Sequence, residues 1–468
     1  LANVVAMAAC ELLSKLTFAN PRIDWQAFSK LAKLFFRIFE SAVTSSPDGN
    51  SLPGVCKSAT PGRPAARNAF LIQHNAASRL GKYSNRRFSA LTVRTTSEPL
   101  TGWRQKATLM RFTLPLAFVA LLSPVGAQAQ SEAVQHTVVF KEDGRFAGWP
   151  ANNGIWAWGD EIVVGFTMAY HKINPRGGHD IDRDRPSGRR QARSLDGGET
   201  WTLQDEPTRN EPAGELTEPV DFSNPDFAML LTRGEFSVST DRAQTWSGPY
   251  ELPAFGRPRL LCRTDYLVEG KHRLTAFIAA SKDSGQEGQP LCIRTEDGGL
   301  TWNLVGWVGD QPPQDYGYAI MPATVRVGET GYLSMIRRGA IFDGKRSWWV
   351  EPYLSPDDGK SWYLLDEPRV ENSGNPATLT RLENGDLALV YGWRRSPYGI
   401  RTRISTDDGQ TWGREYALRA DGGSWDIGYP RTVQRTDGKC VTAYYFHEQG
   451  QPLRYIAATI WDPEQFRR

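Results

Sequence analysis

Residues 179–185 form a dense cluster of ionisable side chains and read His-Asp-Ile-Asp-Arg-Asp-Arg. A histidine among carboxylates and arginines is typical of an acid/base site, because imidazole both accepts and gives a proton near neutral pH. We therefore take His179, Asp180 and Asp182 as candidate catalytic residues. His171 ends the preceding predicted strand and is a candidate binding residue at the same place. A solvated loop of alternating charge is the alternative reading, and the pattern alone leaves it open.

The composition argues against several other classes of protein. With 55 Lys+Arg and 52 Asp+Glu, the formal net charge is +3, too small to favour nucleic acid or a membrane surface as partner. The sequence has no phosphate loop, nucleotide fingerprint or metal-ligand cluster, so we expect no metal and no cofactor. Cys262, Cys292 and Cys440 lack C-x-x-C spacing, and we expect buried thiols rather than a disulfide framework or zinc site.

A short apolar segment lies far from the start of the chain. Met110-Arg111 opens it with a basic residue, and the apolar run 112–122 is shorter than the ~20 residues that a membrane helix needs. Ala127-Gln128-Ala129 follows as a small-x-small cleavage pattern. A basic start, a short apolar run and such a cleavage site together indicate a secretory signal peptide.

This interpretation divides the chain into three parts. Residues 1–109 are expected to be a spurious or disordered N-terminal extension, and residues 110–130 the signal peptide. Residues 131–468 are then the mature chain, secreted or periplasmic and without a membrane segment. The alternative is an N-terminal domain followed by an internal transmembrane segment.

An eight-residue pattern, S/T-x-D-x-G-x-T/S-W, occurs five times. The copies contain Asp196, Asp241, Asp297, Asp357 and Asp407 and end at Trp201, Trp246, Trp302, Trp362 and Trp412. A unit that recurs every 45 to 60 residues is typical of a solenoid or propeller. We expect the Asp to accept hydrogen bonds from turn N–H groups, the Gly to adopt an unusual conformation and the Trp to pack between sheets. Ala243 replaces the Gly of the second copy, which predicts a strained or altered turn.

A proline opens a predicted strand six times, and a turn and an apolar strand follow. These prolines are Pro150, Pro225, Pro258, Pro322, Pro376 and Pro430. Six openings and five turns predict an all-β fold, a six-bladed β-propeller of four-stranded antiparallel blades whose radial closure protects the sheet edges. The second blade is short, and the run 455–461 is expected to close the ring.

The box pattern on a six-fold repeat resembles the sialidase (neuraminidase) superfamily, whose repeat is called the Asp box or BNR repeat. The resemblance covers essentially all of 131–468. It implies a fold more strongly than a chemistry, because the box is a structural turn. It also implies that the five box aspartates serve folding, whereas a ligand binds at the mouth of the central channel.

The resemblance implies a site with three arginines that grip a carboxylate, a nucleophilic tyrosine and a loop aspartate as acid/base. Tyr429 stands eight residues before an Asp-Gly turn, as the nucleophile of the family does. Asp180 and Asp182 precede the first box, like the acid/base of the family. Arg394 or Arg395 follows the second strand of a late blade, like one of its arginines. For Tyr429, simple packing at a strand start is the alternative.

Two positions depart from the family pattern. Gly148 occupies the place of the first arginine, and the blade opening at 374–376, nearest to the activating Glu, contains no acid. Arg257 and Arg431 stand beside the prolines of blades three and six and are candidate replacement cations. Trp149 is a candidate for stacking on a sugar ring, although packing between blades is the commoner use of Trp in a propeller.

Three functions remain open at this stage. The favoured one is a secreted glycoside hydrolase, exo-alpha-sialidase-like, that cleaves sialic acid or another acidic sugar from glycans. The second is a polysaccharide lyase or other glycosidase that uses His and Tyr on the same propeller. The third is a non-catalytic glycan-binding or scaffold propeller, which would not need the charged loop or the Tyr429 match.

The signal-peptide interpretation predicts the N-terminus of the exported product. N-terminal sequencing of that product is expected to start at Gln130 or Ser131, because cleavage follows the small-x-small pattern. A product that starts near residue 1 would contradict the interpretation.

Overall fold

The computed structural model describes residues 134–175, 177–204 and 215–467. The predicted extension (1–109) and the predicted signal peptide (110–130) lie outside these residues, so both stay predictions. Among the described residues, no helix is long and apolar enough to cross a membrane.

Short antiparallel strands make up nearly all of the described secondary structure. In chain order the strands are β1 (Val134–Phe140), β2 (Arg145–Gly148), β3 (Ile155–Trp158), β4 (Glu161–Tyr170), β5 (Gly188–Ser194), β6 (Thr202–Gln204), β7 (Ala228–Thr232), β8 (Glu235–Ser239), β9 (Ser247–Glu251), β10 (Tyr266–Val268), β11 (Leu274–Ala280), β12 (Gln289–Thr295), β13 (Asn303–Trp307), β14 (Tyr318–Val327), β15 (Gly331–Phe342), β16 (Lys345–Ser355), β17 (Tyr363–Leu364), β18 (Ala377–Arg381), β19 (Leu387–Trp393), β20 (Tyr398–Ser405), β21 (Tyr416–Gly422), β22 (Gly428–Gln434), β23 (Cys440–Phe446) and β24 (Tyr455–Trp461). Helix α1 (Pro150–Asn153) separates β2 from β3, and a 3₁₀ turn spans Pro463–Phe466.

The strands form six sheets, which are the six blades of a propeller, and the predicted fold class is confirmed. Blade one has the order β2-β4-β5-β6, with β3 also paired to β4; blades three, four and five are β10–β13, β14–β17 and β18–β21. Blade six is β22-β23-β24-β1, so the first described strand is its outer strand. The run 455–461 is β24, and the ring is closed where β1 pairs with it, Val134 lying opposite Trp461. Closing the ring in this way leaves only short, protected sheet edges.

Blade two has three strands within the described residues, β7-β8-β9. The strand predicted at Pro225 is a pair of turns instead, in which Asn224 accepts the N–H of Phe227. The N–H groups of Met229 and Leu231 donate to the hydroxyls of Tyr266 (3.1 Å) and Thr264 (3.3 Å) in blade three. These hydroxyls satisfy backbone groups of β7 that an inner strand would otherwise pair with.

The five boxes are hairpin turns between the last two sequential strands of blades one to five, as predicted for hairpin turns. In the first box the hydroxyl of Ser194 accepts the N–H of Gly198 (2.7 Å), and Asp196 accepts the N–H of Thr200 (2.9 Å). Burial alone would raise the pKa of Asp196, but hydrogen bonds from the hydroxyl and N–H of Thr200 and from the hydroxyl of Ser194 lower it to about 2. The carboxylate of Asp196 therefore stabilises the turn. The box tryptophans pack between sheets; Trp302, for example, lies against Phe236 of blade two.

The second box keeps the same turn despite its alanine. The N–H of Ala243 donates to Ser239 Oγ at 2.9 Å, and its φ of 59° is left-handed. An L-residue in that region is strained by roughly 1–2 kcal/mol. Of the two predicted outcomes, a strained turn and an altered turn, the structure shows the strained one.

The cysteines agree with the prediction of buried thiols. Cys262, Cys292 and Cys440 are free and buried. Burial raises the pKa of Cys262 and Cys292 to about 12, so both stay protonated and act as small apolar side chains.

Two glycines with the same backbone conformation provide a test of box packing. Gly409 lies in the last box at φ 83°, and an added Cβ would stand 2.3 Å from Leu333 Cδ2. Gly385 has φ 88° and nothing within 4 Å of an added Cβ. We expect Gly409→Ala to lower the free energy of unfolding by about 2–4 kcal/mol, since it adds overpacking to backbone strain. Gly385→Ala should cost about 1–2 kcal/mol from strain alone.

Denaturant unfolding of both variants measures these costs. An equal loss in the two variants would show that the contact with Leu333 relaxes freely.

Candidate functional site

A histidine–aspartate pair joins the loop of blade one to blade six. His179, between β4 and β5, donates its Nδ1–H to Asp426 Oδ1 at 2.6 Å. The Asp426 side chain is 0% exposed and that of His179 is 28% exposed. In the described part of the chain, His179 Nε2 has no hydrogen-bond partner. The pair therefore fixes the orientation of the ring and leaves one nitrogen available for proton transfer.

Asp426 is held by two further groups of blade six. The Tyr445 hydroxyl donates to its Oδ1 at 2.8 Å, and Arg454 Nε donates to its Oδ2 at 3.1 Å. Burial alone would raise the pKa of Asp426, but the bonds from His179 and Tyr445 and the charge of Arg454 keep it below its usual value. Asp426 is consequently an ionised carboxylate in the interior.

Tyr445 connects this pair to an arginine of blade five. Arg394, which follows β19, donates Nη2–H to the Tyr445 oxygen at 2.8 Å and Nε–H to Ile427 O at 3.2 Å. Its guanidinium lies 5.4 Å from the ring centre of Trp425 and 5.5 Å from that of Tyr429. Arg394 is therefore anchored on one side and faces two aromatic rings on the other.

Tyr429 is placed by a strained bend at the start of blade six. Its φ is 53°, although the next residue is proline, which normally keeps its neighbour extended. The ladder between β22 and β23 bulges here, between Gly428 and Arg431. Asn375, fully buried, accepts the N–H of Tyr429 (3.0 Å) and donates to Ile427 O (2.8 Å). Strain of this kind is common where a side chain must be aimed at a ligand.

The Tyr429 hydroxyl contacts an arginine of blade four. Arg337 Nη1, on β15, donates to it at 3.0 Å and lies 3.5 Å from Met321 Sδ. Burial alone would lower the pKa of Arg337, but the oxygens of Tyr429 and Tyr318 and the carboxylate of Glu287 raise it. Arg263, before β10, also interacts electrostatically with Tyr429 and Arg337. Three guanidinium groups from blades three, four and five thus surround one phenol.

Aromatic rings enclose the His179 side of the site. The Trp149 ring meets His179 edge-on with ring centres 5.0 Å apart, and Trp425 lies 5.7 Å from His179 on centres. Tyr445 lies 6.4 Å from Trp149 and 5.9 Å from Tyr429 on the same measure. Aromatic faces beside charged hydrogen-bonding groups suit the apolar and polar faces of a sugar.

The structure brings together four of the residues proposed from sequence. They are Tyr429, His179, Arg394 and Trp149. Asp180 stands directly behind them, where it accepts Arg454 Nη1 at 2.7 Å and so orients the network rather than facing the site.

Three other residues proposed from sequence have partners outside this group. Asp182 pairs with Lys172 at 3.2 Å. Burial would raise the pKa of Asp182, but hydrogen bonds from the Asp184 N–H and from Lys172 lower it. His171 bridges to the backbone of Ile181, and burial lowers its pKa. Arg395 donates to Ser373 at 3.0 Å.

The two proposed replacement cations are engaged in structural contacts. Arg257 pairs with Asp283 at 2.6 Å and lies 4.5 Å from the ring centre of Trp307. Arg431 donates to the carbonyls of Ala151 and Thr264. No contact joins either of them to Tyr429 in the described residues.

Several residues of the site were not identified from sequence. They are Asp426, Tyr445, Arg454, Arg337 and Arg263. Arg337-Arg338 lies within the second strand of blade four, and Arg394-Arg395 follows the second strand of blade five. Aligning the two blades on these Arg-Arg pairs would have found Arg337. Among the described residues, no group of three His, Cys, Asp or Glu is placed to hold a metal ion.

Comparisons with known proteins agree with the fold. Residues 228–441 match the model of the BNR repeat-like domain. A search of curated proteins found no match. A protein of unknown function from Dyadobacter fermentans is 21% identical with a TM-score of 0.54, over 70% of this chain and 99% of that one.

Two further solved structures were found at lower sequence identity. The Penicillium chrysogenum alpha-L-arabinanase is 15% identical with a TM-score of 0.45, over 71% of this chain and 98% of that one. The NanB sialidase from Streptococcus pneumoniae is 11% identical with a TM-score of 0.46, over 70% of each chain. The boxes and the six blades make this chain a six-bladed β-propeller, of which residues 228–441 match the BNR repeat-like domain.

Two Asp–Arg pairs, one buried and one at the surface, test the network. Asp426→Asn removes the fully buried countercharge of Arg454, which then keeps only Asp180, and should lower the free energy of unfolding by about 2–3 kcal/mol. Asp437→Asn breaks an exposed pair with Arg435 (2.8 Å) and should cost at most about 1 kcal/mol. Urea unfolding of both variants measures the difference, and similar losses would refute the buried network.

Proposed function

We propose that the chain is a glycoside hydrolase that acts on an acidic sugar at the mouth of the propeller. The observation that carries the proposal is the convergence of Arg337 and Arg394 on Tyr429, beside the His179–Asp426 pair. Guanidinium groups match a carboxylate in charge and geometry. Such a site would bind a carboxylated sugar and could transfer a proton beside it.

The arginines supply the binding half of the proposal. Arg337 and Arg394 each donate a hydrogen bond to a tyrosine hydroxyl, and neither forms an ion pair with a carboxylate among the described residues. A substrate carboxylate could form such a pair. Arg263 adds a third cation in place of the family arginine that Gly148 replaces. Sialic acid is the acidic sugar that the resemblance favours.

His179 and Tyr429 supply the chemical half. In the proposed reaction Tyr429 loses its proton to water and its oxygen attacks the anomeric carbon. The glycosidic C–O bond breaks as protonated His179 gives a proton to the leaving oxygen. A water molecule then hydrolyses the glycosyl–tyrosine bond, with His179 taking one of its protons and Tyr429 leaving.

One observation favours a second candidate, a lyase. Tyr429 accepts a hydrogen bond from Arg337, and no carboxylate contacts its hydroxyl in the described residues. Its own proton is thus available for donation. In an elimination, His179 would remove the proton beside the sugar carboxylate, the C–O bond would break and Tyr429 would protonate the leaving oxygen.

We further propose that the enzyme works outside the cytoplasm, because a signal peptide is predicted at 110–130. The substrate would then be an extracellular or periplasmic glycan.

Tyr429→Phe tests the proposal directly. It removes one hydroxyl and keeps the packed ring, so we expect kcat to fall by at least about 10³-fold with folding unchanged. Tyr363→Phe, on the exposed outer strand β17, is the matched control and should keep full activity. The assay uses reporter glycosides of sialic and glucuronic acid with the purified 131–468 chain.

The products separate the candidates. Release of a reducing sugar supports the hydrolase, whereas an unsaturated product that absorbs in the ultraviolet supports the lyase. Full activity of Tyr429→Phe would remove Tyr429 from the reaction. Turnover of no acidic glycan would leave a binding or scaffold propeller.

A further inference from the structure

A cavity of about 540 Å³ lies beside the candidate site, where blade one meets blades two and three. Three arginines line it: Arg189 at the start of β5, Arg233 in the turn between β7 and β8, and Arg263. Glu235 is the one carboxylate among its lining residues. The cavity therefore has an excess of positive charge.

Arg263 and Arg189 each donate a hydrogen bond to a neutral group. Arg263 Nη1 donates to Cys262 O at 2.7 Å, and its Nε is shielded from solvent without a hydrogen-bond partner in the described residues. Arg189 Nη2 donates to Gln191 at 3.4 Å, and its guanidinium lies 5.3 Å from the ring centre of Trp246. Arg233 is exposed and forms no ion pair in the described part of the chain. A shielded guanidinium N–H without an acceptor is costly unless a ligand supplies one.

The cavity shares two elements with the candidate site. Helix α1 begins directly after Trp149, and its far end places Asn152 and Asn153 in the cavity wall. Asn153 Nδ2 donates back to Trp149 O at 3.0 Å. Arg263 lines the cavity and also interacts electrostatically with Tyr429. A ligand bound at Tyr429 would therefore have the cavity as its neighbour.

We propose that this cavity is a subsite for the carboxylate of a second acidic sugar, next to the sugar that is cleaved. The inference rests on the proposed function and narrows its substrate class to glycans that carry acidic sugars in succession. Arg233 and Arg189 face only the second sugar, while Arg263 lies between the two. Asn152, whose Oδ1 is buried without a partner in the described residues, is placed to accept a sugar hydroxyl.

The test compares substrates with one and two acidic sugars. Arg233→Asn removes the charge, and asparagine tolerates the left-handed φ of 38° at this position. We expect KM for a substrate with two successive acidic sugars to rise about 10-fold, because a charge-assisted contact is lost, with kcat unchanged. KM for the single-sugar reporter should not move. Arg233→Lys should recover most of the affinity, and Arg414→Asn, on an exposed arginine elsewhere, should have no effect.

A binding measurement separates this inference from the proposed function. Calorimetry of the Tyr429→Phe protein with disialic acid and digalacturonic acid, and with the two monomers, needs no turnover. Tighter binding of one dimer than of its monomer, lost in the Arg233→Asn/Tyr429→Phe double variant, supports the subsite even if no glycan is cleaved. Equal affinity for dimer and monomer, or a dimer affinity that Arg233→Asn leaves unchanged, overturns it. If a reporter glycoside is nevertheless cleaved, the proposed function is supported and only the subsite is rejected.

Discussion

The arrangement of the candidate site depends on one buried carboxylate. Asp426 is fully enclosed, and an isolated ion there would cost several kcal/mol. It is tolerated because His179, Tyr445 and Arg454 all donate to it. His179 comes from blade one and the other donors from blade six, so the carboxylate fixes the seam of the ring. Pairing of β1 with β24 closes that seam, and the site therefore forms only when the ring is closed.

A second constraint is strain at the blade openings. Trp149, Met321 and Tyr429 each precede a proline and each have φ between 53° and 60°. Such a residue normally costs roughly 1–3 kcal/mol, and its recurrence at three blades indicates a shared device. Two of these bends place Met321 and Tyr429 against the same arginine, Arg337. At Tyr429 the side-chain amide of Asn375, in the neighbouring blade, accepts the N–H of Tyr429 and donates to the carbonyl of Ile427. These two hydrogen bonds offset the strain energy of the bend.

The sequence predicts those parts of the structure that local contacts decide. A box turn is complete within eight residues, and the fold and the box aspartates could be recognised from it. Tyr429 was proposed through the family resemblance, from its distance to a nearby turn. His179 and Asp426 are 247 residues apart, and no local pattern links them. Arg431 shows the opposite failure: it adjoins a channel-facing proline, but the bulge at Tyr429 turns it into the interior, onto two carbonyls.

Charge balance explains why an anion suits this site. Arg263, Arg337 and Arg394 carry like charges around Tyr429, and like charges in a partly dry site repel one another. Each one is held by a neutral hydroxyl or carbonyl, which fixes its position without cancelling its charge. The carboxylate of Asp426 does not serve them, because His179, Tyr445 and Arg454 occupy it. The carboxylate of Glu287 offsets part of this repulsion at Arg263 and Arg337, and an entering anion would offset more of it. Under the proposed function, a carboxylated sugar therefore gains affinity over a neutral sugar of the same shape.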